Sequence, residues 1–286
     1  MFILSAFADE ISPDPKEQIA VLKSCGVYHI EFRSIYKTNV LALSDQQIKE
    51  FKKLIDDEGI KLSAIGSPIG KYPVNEPLEP HLEKFKRAID LCGVFGTPNI
   101  RVFSFYPPDN DPNFDGNWTP HRDEVIRRMR VLADMAEKAK VKLFHENEHR
   151  IFGDEPNRVR DLVSSVNSPA LRCAYDAANW VFSGYDPIEG WEKTKDLTEH
   201  LHIKDWKKPQ PGEGHGHGVL PGCGDGHMSY SIKDAVKRGY KGFATMEPHL
   251  RGGGPTGGVT GADLFPVAVE AFRKILPDAG GTESNG

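Results

Sequence analysis

The feature that most constrains the fold of this chain is a regular alternation of short β-rich runs with helical patterns, which extends from one end to the other. Such alternation predicts βα units, in which parallel strands form one sheet that helices cover. We count eight units, which favours an α/β fold of the closed (β/α)₈ type, a TIM barrel, over an open doubly wound sheet. The predicted strands are 2–9, 29–34, 61–68, 99–106, 141–148, 171–178, 197–205 and 242–249.

The helical segments carry recognisable start and stop signals. Ser12 is the predicted N-cap of the first helix, which has proline in its first turn and ends at Gly26. Ser44 and Gln47 form a predicted capping box for the second helix, which ends at Gly59. Six further helices are predicted at 78–95, 120–139, 155–166, 186–196, 229–238 and 263–276.

Length is compatible with one large domain. The chain has 286 residues, and barrels of this type commonly run to ~250 residues as a single domain. We therefore predict one barrel over residues 1–276 and a flexible tail over 277–286. Residues 207–228 form a Gly/Pro/His-rich loop after the seventh strand, which is much longer than a typical βα loop of ~2–6 residues and is predicted to be a lid.

Composition favours a small-molecule partner. Lys and Arg number 36 against 41 Asp and Glu, a formal charge of −5, and we find no run of like charges typical of a nucleic-acid or membrane surface. The four cysteines show no C-x-x-C spacing, which is typical of a reducing cytoplasm. No apolar stretch reaches the ~18 residues of a membrane span, so we expect a soluble, unprocessed cytoplasmic protein.

Polar side chains occupy the predicted carboxyl ends of the last four strands, where barrels of this kind place their chemistry. These side chains are separated by 30, 26 and 45 residues along the chain (146 to 176, 176 to 202, 202 to 247). The first two separations match one βα repeat, and the third equals one repeat plus the long loop. Carboxylates with an imidazole suit one divalent ion, Mn²⁺, Mg²⁺, Co²⁺ or Zn²⁺. The set is Glu146, Asp176, His202 and Glu247.

A structural interpretation of the same residues is that they are core polar groups paired with cations such as Lys204 or Arg101, or caps of the following helices. Burying a carboxylate without a partner costs roughly several kcal/mol. One divalent cation relieves three carboxylates at once, so we favour the metal site. The loop histidines His215, His217 and His227 also have ligand-like spacing, but the surrounding glycines favour a mobile lid.

A metal site of this kind suits proton abstraction next to a carbonyl. A divalent ion that binds a ketone oxygen and a neighbouring hydroxyl acidifies the intervening C–H and stabilises the resulting enediolate. One carboxylate removes the proton and another returns it. Epimerisation, ketose/aldose isomerisation and elimination of water share this intermediate, so the ligand set alone does not separate them.

The phrases "ENEH", "AYDAANW", "HLHIKDW" and "TMEPH" resemble, in order and spacing, signatures of the xylose isomerase-like (β/α)₈ superfamily, in particular its sugar phosphate isomerase/epimerase group. The resemblance runs from "SAFADEIS" to "EPH", and H-x-H-x-K-D is its most specific part. It implies that Glu146, Asp176, His202 and Glu247 bind one metal ion. It also implies that Glu146 and Glu247 act as the acid/base pair on opposite faces of the substrate.

Three departures from the family pattern limit the reactions and residue roles that the resemblance allows. Asn179 stands where the epimerases often have histidine, and it can orient a hydroxyl but cannot act as a base. Glu148 is near, but not at, the position of their additional glutamate, and is either a substrate contact or an ion-pair partner. The third and fourth strands lack the histidines of the related zinc endonucleases, which argues against a trinuclear phosphodiesterase.

Further residues are candidates for substrate binding. Lys204 shares a face with His202 and is expected to hold a substrate oxygen or the carboxylate of the sixth strand. His249 is expected to point toward the substrate, with a proton shuttle as one option. Arg33 shares a face with Glu31, which allows an ion pair or sugar binding. The glycine-rich run 251–258 is a weak anion-site signal.

The sequence therefore predicts a metal-dependent isomerase or epimerase acting on a small-molecule sugar or sugar derivative. The alternative is a lyase, dehydratase or hydratase acting on a keto-sugar, inosose or 3-keto-glycoside. A sugar-binding barrel without activity is a third interpretation, which the presence of both glutamates disfavours. The resemblance allows a homo-oligomer, although no stretch of the sequence specifies an interface.

Overall fold

The structure is a computed structural model that describes residues 1–210, 214–253 and 257–284. Eight parallel strands pair in chain order, and the last pairs with the first, with Phe243 opposite Ile3. This closure confirms the predicted (β/α)₈ barrel. The barrel strands are β1 (Phe2–Ala6), β2 (His29–Phe32), β3 (Lys61–Ile65), β4 (Asn99–Val102), β5 (Lys142–Glu146), β6 (Leu171–Asp176), β7 (Thr198–Ile203) and β8 (Phe243–Met246).

Helices surround the barrel close to their predicted bounds, with one short additional helix after β6. They are α1 (Pro15–Ser24), α2 (Asp45–Asp57), α3 (Glu79–Phe95), α4 (Arg122–Ala139), α5 (Pro156–Val166), α6 (Ala177–Phe182), α7 (Pro187–Thr194), α8 (Met228–Lys237) and α9 (Phe265–Asp278). Within the part of the chain that the structure describes, no helix combines the length and the apolar character that crossing a membrane requires.

The helix caps show one agreement and one correction. The Ser44–Gln47 capping box of α2 is present as predicted. The predicted Ser12 cap of α1 is wrong, because the Asp14 side chain accepts the hydrogen bond from the Lys16 backbone N–H. Pro15 occupies the first helical position, where its fixed φ suits the helix, so the residue before it becomes the cap.

The apolar core fills the layer between the barrel and its helices. Phe32 of β2 stacks on Phe51 of α2 with ring centroids 4.4 Å apart, and Phe95 of α3 closes the same cluster. Their rings are buried, which stabilises the attachment of both helices to the barrel. The inside of the barrel is different, because its carboxyl end holds charged and hydrogen-bonded groups.

Strand register places the candidate site at that end. Glu146 and Asp176 are the last residues of β5 and β6, and Asp176 lies opposite His202 of β7. His202 in turn lies opposite Thr245 of β8, and Glu247 follows that strand directly. Four neighbouring strands therefore end in polar side chains at one rim.

The chain after β7 is more ordered than a simple lid. Asp205–Lys207 pairs antiparallel with His217–Val219, so part of the predicted loop 207–228 is a β-hairpin. Residues 211–213 of this loop lie outside the described residues. The buried Asp205 carboxylate accepts hydrogen bonds of 2.8–3.0 Å from the backbone N–H groups of Gly222, Gly224 and Gly226. A Cβ at position 224 would meet Asp205 Oδ1 at 2.1 Å, so the turn requires glycine there.

Asp205→Asn is expected to lower the free energy of unfolding by about 2–4 kcal/mol, because an amide offers one acceptor oxygen where the carboxylate offers two. Urea unfolding followed by circular dichroism measures the change. Asp225→Asn is the matched control: Asp225 is more exposed and accepts from Lys208 N and Lys207 Nζ. Equal losses in the two variants would show that Asp205 does not anchor the turn.

Part of the predicted tail 277–286 pairs with the barrel, and the flexibility predicted for it stays a prediction. Helix α9 continues to Asp278, and Glu283–Ser284 pairs in parallel with Phe2–Ile3 of β1. Arg273 of α9 also contacts both carboxylate oxygens of Glu283, at 2.8 and 2.9 Å. These contacts attach the segment to the barrel beside Phe2 and Ile3 of β1.

Candidate metal centre

The structure brings together the four side chains that the sequence singles out at the strand ends. One ligand atom from each of Glu146, Asp176, His202 and Glu247 lies within 4.8 Å of the others, and all four residues are buried. His202 Nδ1 is 3.3 Å from Glu146 Oε1 and 3.5 Å from Glu247 Oε2. The two carboxylates thus lie close to the same nitrogen of the imidazole.

Several polar atoms of this cluster have no hydrogen-bond partner among the described residues. They are Asp176 Oδ2, Glu247 Oε2 and His202 Nδ1. Buried polar atoms are nearly always paired, so a group of such atoms converging on one point requires an explanation. Carboxylate oxygens and an imidazole nitrogen are suitable ligands for a divalent cation, and these residues fit one.

The electrostatics of the cluster also favour a cation. Burial, reinforced by the neighbouring carboxylates of Glu247 and Glu146 and opposed by Lys204, raises the pKa of Asp176 to about 7. The protein alone therefore does not supply enough positive charge to keep all three carboxylates ionised at low cost. A divalent ion at their centre would do so.

The structural interpretation, pairing with Arg101 or Lys204, is correct for some of the atoms. Arg101 Nη1 lies 3.1 Å from Glu146 Oε2, and Lys204 Nζ lies 3.6 Å from Asp176 Oδ2. Arg101 contacts the Glu146 oxygen that does not face His202, whereas Lys204 lies beyond hydrogen-bond distance from Asp176 Oδ2, which has no hydrogen-bond partner among the described residues. Ion pairing and metal binding are therefore compatible here.

The side chain of Asn179, a predicted substrate contact, forms hydrogen bonds with residues in and beside the cluster. Its amide Nδ2 donates to Glu146 Oε1 and to the Asn147 carbonyl, and its Oδ1 accepts from Lys204 Nζ at 2.8 Å. Asn179 takes this position because it lies in the first turn of α6, which the Asp176 side chain caps. These hydrogen bonds hold the Asn179 side chain between Glu146 and Lys204, and its contact with substrate stays a prediction.

Glu148 forms an ion pair whose partner the sequence did not reveal. Its Oε2 lies 2.9 Å from Lys71 Nζ, and Lys71 also lies over the Phe103 ring. Although burial opposes ionisation, Lys71 and Lys204 lower the pKa of Glu148 to about 2. Both possibilities for Glu148 remain compatible with this geometry, since the pair is partly exposed and lies beside the candidate metal centre.

Arg33 and Glu31 do not form the ion pair that was one option for them. Arg33 instead contacts Asp9 through Nε at 2.8 Å and Glu247 Oε1 through Nη1 at 2.7 Å. Glu31 lies against His202 instead, so both side chains reach members of the candidate centre, as their predicted shared face implies. The backbone at Gly257 lies against the guanidinium, where a Cβ would meet Arg33 Cζ at 2.2 Å.

His249, which is predicted to point toward the substrate, lies between Glu10 and Glu247. It lies beyond the end of β8 with φ of 53°, and its Nδ1 is 2.8 Å from Glu10 Oε1. Its Nε2 is 4.0 Å from Glu247 Oε1. Glu10 also accepts from Thr260 Oγ1, which attaches the chain after β8 to the chain after β1. The proton-shuttle role of His249 stays a prediction.

The two glycine-rich loops yield no second ligand set from the predicted residues. Among the residues that the structure describes, His215, His217 and His227 belong to no group of potential metal ligands. His215 instead stacks on Phe182, with ring centroids 4.9 Å apart. Residues 254–256 of the glycine-rich run 251–258 lie outside the described residues, so its predicted anion site stays untested.

The sequence model of one protein family, the xylose isomerase-like TIM barrel, matches residues 19–274 of this chain. The chain belongs to this family. The family membership confirms the resemblance and agrees with the closed barrel of eight strands.

Individual relatives are distant. The chain is similar to D-psicose 3-epimerase from Enterocloster bolteae, with 23% identity over 86% of this chain and 76% of the relative. It is similar to inosose dehydratase from Clostridium perfringens, with 20% identity over 71% and 74%. Among solved structures, a xylose isomerase-like TIM barrel protein from Mycobacterium smegmatis in complex with magnesium aligns with a TM-score of 0.74 and 20% identity, covering 97% of each chain.

The two named relatives are enzymes that, by their names, act on a sugar or a sugar derivative. One is an epimerase and the other a dehydratase. The comparisons therefore support the general class of sugar isomerase, epimerase or lyase for this family member. They leave the choice between these reactions to the chemistry of the site.

Proposed function

We propose that the protein is a divalent-metal-dependent sugar isomerase or epimerase that removes and returns a proton next to a carbonyl. The observation that supports this most is the position of the two glutamates. Glu146 from β5 and Glu247 from the end of β8 both face His202 Nδ1, although β6 and β7 separate their strands. A substrate held at this point would lie between two carboxylates, one for each direction of proton transfer.

The ion would be held by Glu146, Asp176, His202 and Glu247. A bound Mn²⁺, Mg²⁺, Co²⁺ or Zn²⁺ ion would polarise the substrate carbonyl and stabilise the negative charge that develops when the proton leaves. The magnesium complex of the structural relative, and a solved structure of similar fold that contains zinc, are consistent with this choice of ions.

Arginines orient both glutamates for their proposed function. Arg101 holds Glu146 Oε2, and Arg33 holds Glu247 Oε1, so in each residue the other oxygen faces the centre. Although burial opposes ionisation, the surrounding positive charges hold the pKa of both carboxyl groups below the usual range. Each glutamate is therefore ionised and able to accept a proton.

Polar groups around the centre would bind the hydroxyl groups of the sugar. Lys204 and His249 lie beside the carboxylates, and the Lys71–Glu148 pair lies at the partly exposed side. Lysine and glutamate together offer both donors and acceptors, as a polyhydroxylated ligand requires. We propose that these side chains determine which sugar binds and that Glu146 and Glu247 transfer the proton.

A lyase is the second candidate, because inosose dehydratase is among the relatives and elimination begins with the same proton abstraction. The two reactions differ in what leaves the substrate. An isomerase or epimerase returns a proton, whereas a dehydratase expels water from the neighbouring carbon. Substrate identity therefore has to be tested together with the fate of the proton.

In D₂O, metal-loaded protein is expected to incorporate deuterium next to the carbonyl of a ketose while the carbon skeleton and hydroxyl count are retained. Proton NMR and mass spectrometry of incubations with free ketoses, inosose and 3-keto-glycosides measure this exchange. Loss of water or of the aglycone would instead establish the lyase. Absence of exchange and elimination with every compound would contradict both reactions.

A further inference from the structure

A second group of buried polar side chains lies directly behind the candidate metal centre. Glu31 of β2 places Oε2 at 2.8 Å from His200 Nε2 and at 3.4 Å from His202 Nε2. All three side chains are almost completely buried, with side-chain exposures of 0–1%. The predicted ligand set does not include Glu31 or His200.

The two nitrogens of His202 face different carboxylates. Nδ1 faces Glu146 and Glu247, whereas Nε2 faces Glu31. A neutral imidazole carries its proton on one nitrogen only and offers a lone pair on the other. An ion bound among Glu146, Asp176 and Glu247 can be reached by the Nδ1 lone pair only if the proton resides on Nε2.

We infer that Glu31 is a positioning residue that accepts the Nε2 proton of His202 and thereby presents the Nδ1 lone pair to the metal ion. This inference rests on the proposed metal-binding function and adds the device that orients the only nitrogen ligand in the set. Metal-bound histidines commonly donate their other ring N–H to a carboxylate, which fixes the ring and makes it a stronger ligand.

Glu31 is itself held in place by a short chain of contacts. His200 Nε2, which lies 2.8 Å from Glu31, is also 3.0 Å from Thr245 Oγ1, and the His200 ring stacks on Phe144 with centroids 4.9 Å apart. Thr245 lies on β8, next to β7. The orientation of His202 therefore depends on residues from β2, β5 and β8 as well as on its own strand.

The alternative is that the same three residues form a second metal site, because Glu31, His200 and His202 have atoms close enough to share an ion. The geometry favours hydrogen bonds. His200 Nε2 lies at hydrogen-bond distance from two oxygens, those of Glu31 and Thr245. One ion per chain is therefore expected, and Glu31 acts on it through His202.

Isothermal titration of Mn²⁺ into the metal-free full-length chain tests this inference. The wild-type protein is expected to bind one ion, and Glu31→Gln is expected to bind it about 10–100-fold more weakly. Glu148→Gln is the matched control, because it removes one negative charge beside the same centre but its carboxylate contacts Lys71. It is expected to change the affinity by less than Glu31→Gln does.

A second measurement does not depend on the folding of any variant. Nitrogen-15 NMR of the histidines in the Zn²⁺-loaded wild-type chain is expected to show His202 protonated at Nε2 and metal-bound at Nδ1. The opposite arrangement would overturn the inference, as would equal affinities of Glu31→Gln and the wild type. Binding of two ions, one of them lost in Glu31→Gln, would show that Glu31 is a ligand instead.

Failure of the inference and failure of the proposed function give different results. If the wild-type chain binds one ion and Glu31→Gln binds it equally well, the positioning role is wrong and the metal site stands. If the wild-type chain binds no divalent ion, the proposed function and the inference are both wrong.

Discussion

Glu146→Gln and Glu247→Gln are each expected to lower kcat by about 10³-fold or more, since general acid–base catalysis alone contributes about 10²–10⁴-fold. Glutamine has nearly the same shape as glutamate but can neither accept the substrate proton nor supply a charged oxygen to the ion. Both glutamates face His202 Nδ1, so each change removes one side of the proposed proton transfer. Steady-state assays of deuterium exchange or product formation measure the loss.

The control for this pair is Glu199→Gln. Glu199 lies near the amino end of β7, away from the candidate centre, and forms exposed ion pairs with Lys142 and Arg172. Exposed ion pairs of this kind contribute about 0–1 kcal/mol to stability, so the control variant is expected to fold and to keep its activity. Wild-type turnover in either Glu146→Gln or Glu247→Gln would contradict the proposed acid/base pair and favour a different catalytic group.

Much of the fold follows from local sequence patterns. The alternation of strand and helix signals was sufficient to predict all eight barrel strands, because each unit is complete in about 30 residues and parallel strands pair with their sequence neighbours. The strand ends that carry Glu146, Asp176, His202 and Glu247 follow from the same patterns. Their convergence is a geometric consequence of closing a barrel, in which all strands end at one rim.

Contacts across the barrel are much harder to predict, because no local pattern specifies which strands face each other. Glu31 meets His200 and His202 across the interior, although 169 residues separate Glu31 from His200. The H-x-H pattern of β7 was a usable signal, since His200 and His202 share a face. Lys71 lies in the connection after β3, where neither periodicity nor a motif indicates its pairing with Glu148.

Parity arguments also fail beyond the ends of strands. His249 lies three residues beyond the end of β8 and contacts the Glu10 carboxylate from the chain after β1, a contact that alternation does not predict. The backbone there leaves the extended conformation, as the positive φ of His249 shows. The strands position Arg101 and most of the proposed ligands, and the connections position Glu247, Arg33 and Lys204.

Loading with Mn²⁺ or Mg²⁺ at about 100 times its dissociation constant is expected to stabilise the folded state by about 2.7 kcal/mol, because the ion binds the assembled site and not the unfolded chain. For a protein of this size, that corresponds to an increase in Tm of about 4–5 °C. Asp176→Asn is expected to abolish most of the increase, since it removes one proposed ligand. Differential scanning calorimetry with and without the ion measures both effects.

Asp176→Asn also separates the loss of a ligand from simple damage to the fold. In the absence of the ion, the variant is expected to unfold at the wild-type temperature or slightly higher, because it removes a buried carboxylate crowded by Glu146 and Glu247. The asparagine oxygen can still accept the Asn179 N–H that begins α6. Asp134→Asn, an exposed change on α4, is expected to keep the full increase in Tm. A wild-type Tm that does not respond to any divalent ion would contradict the metal site, whereas a full response in Asp176→Asn would exclude Asp176 from the ligand set.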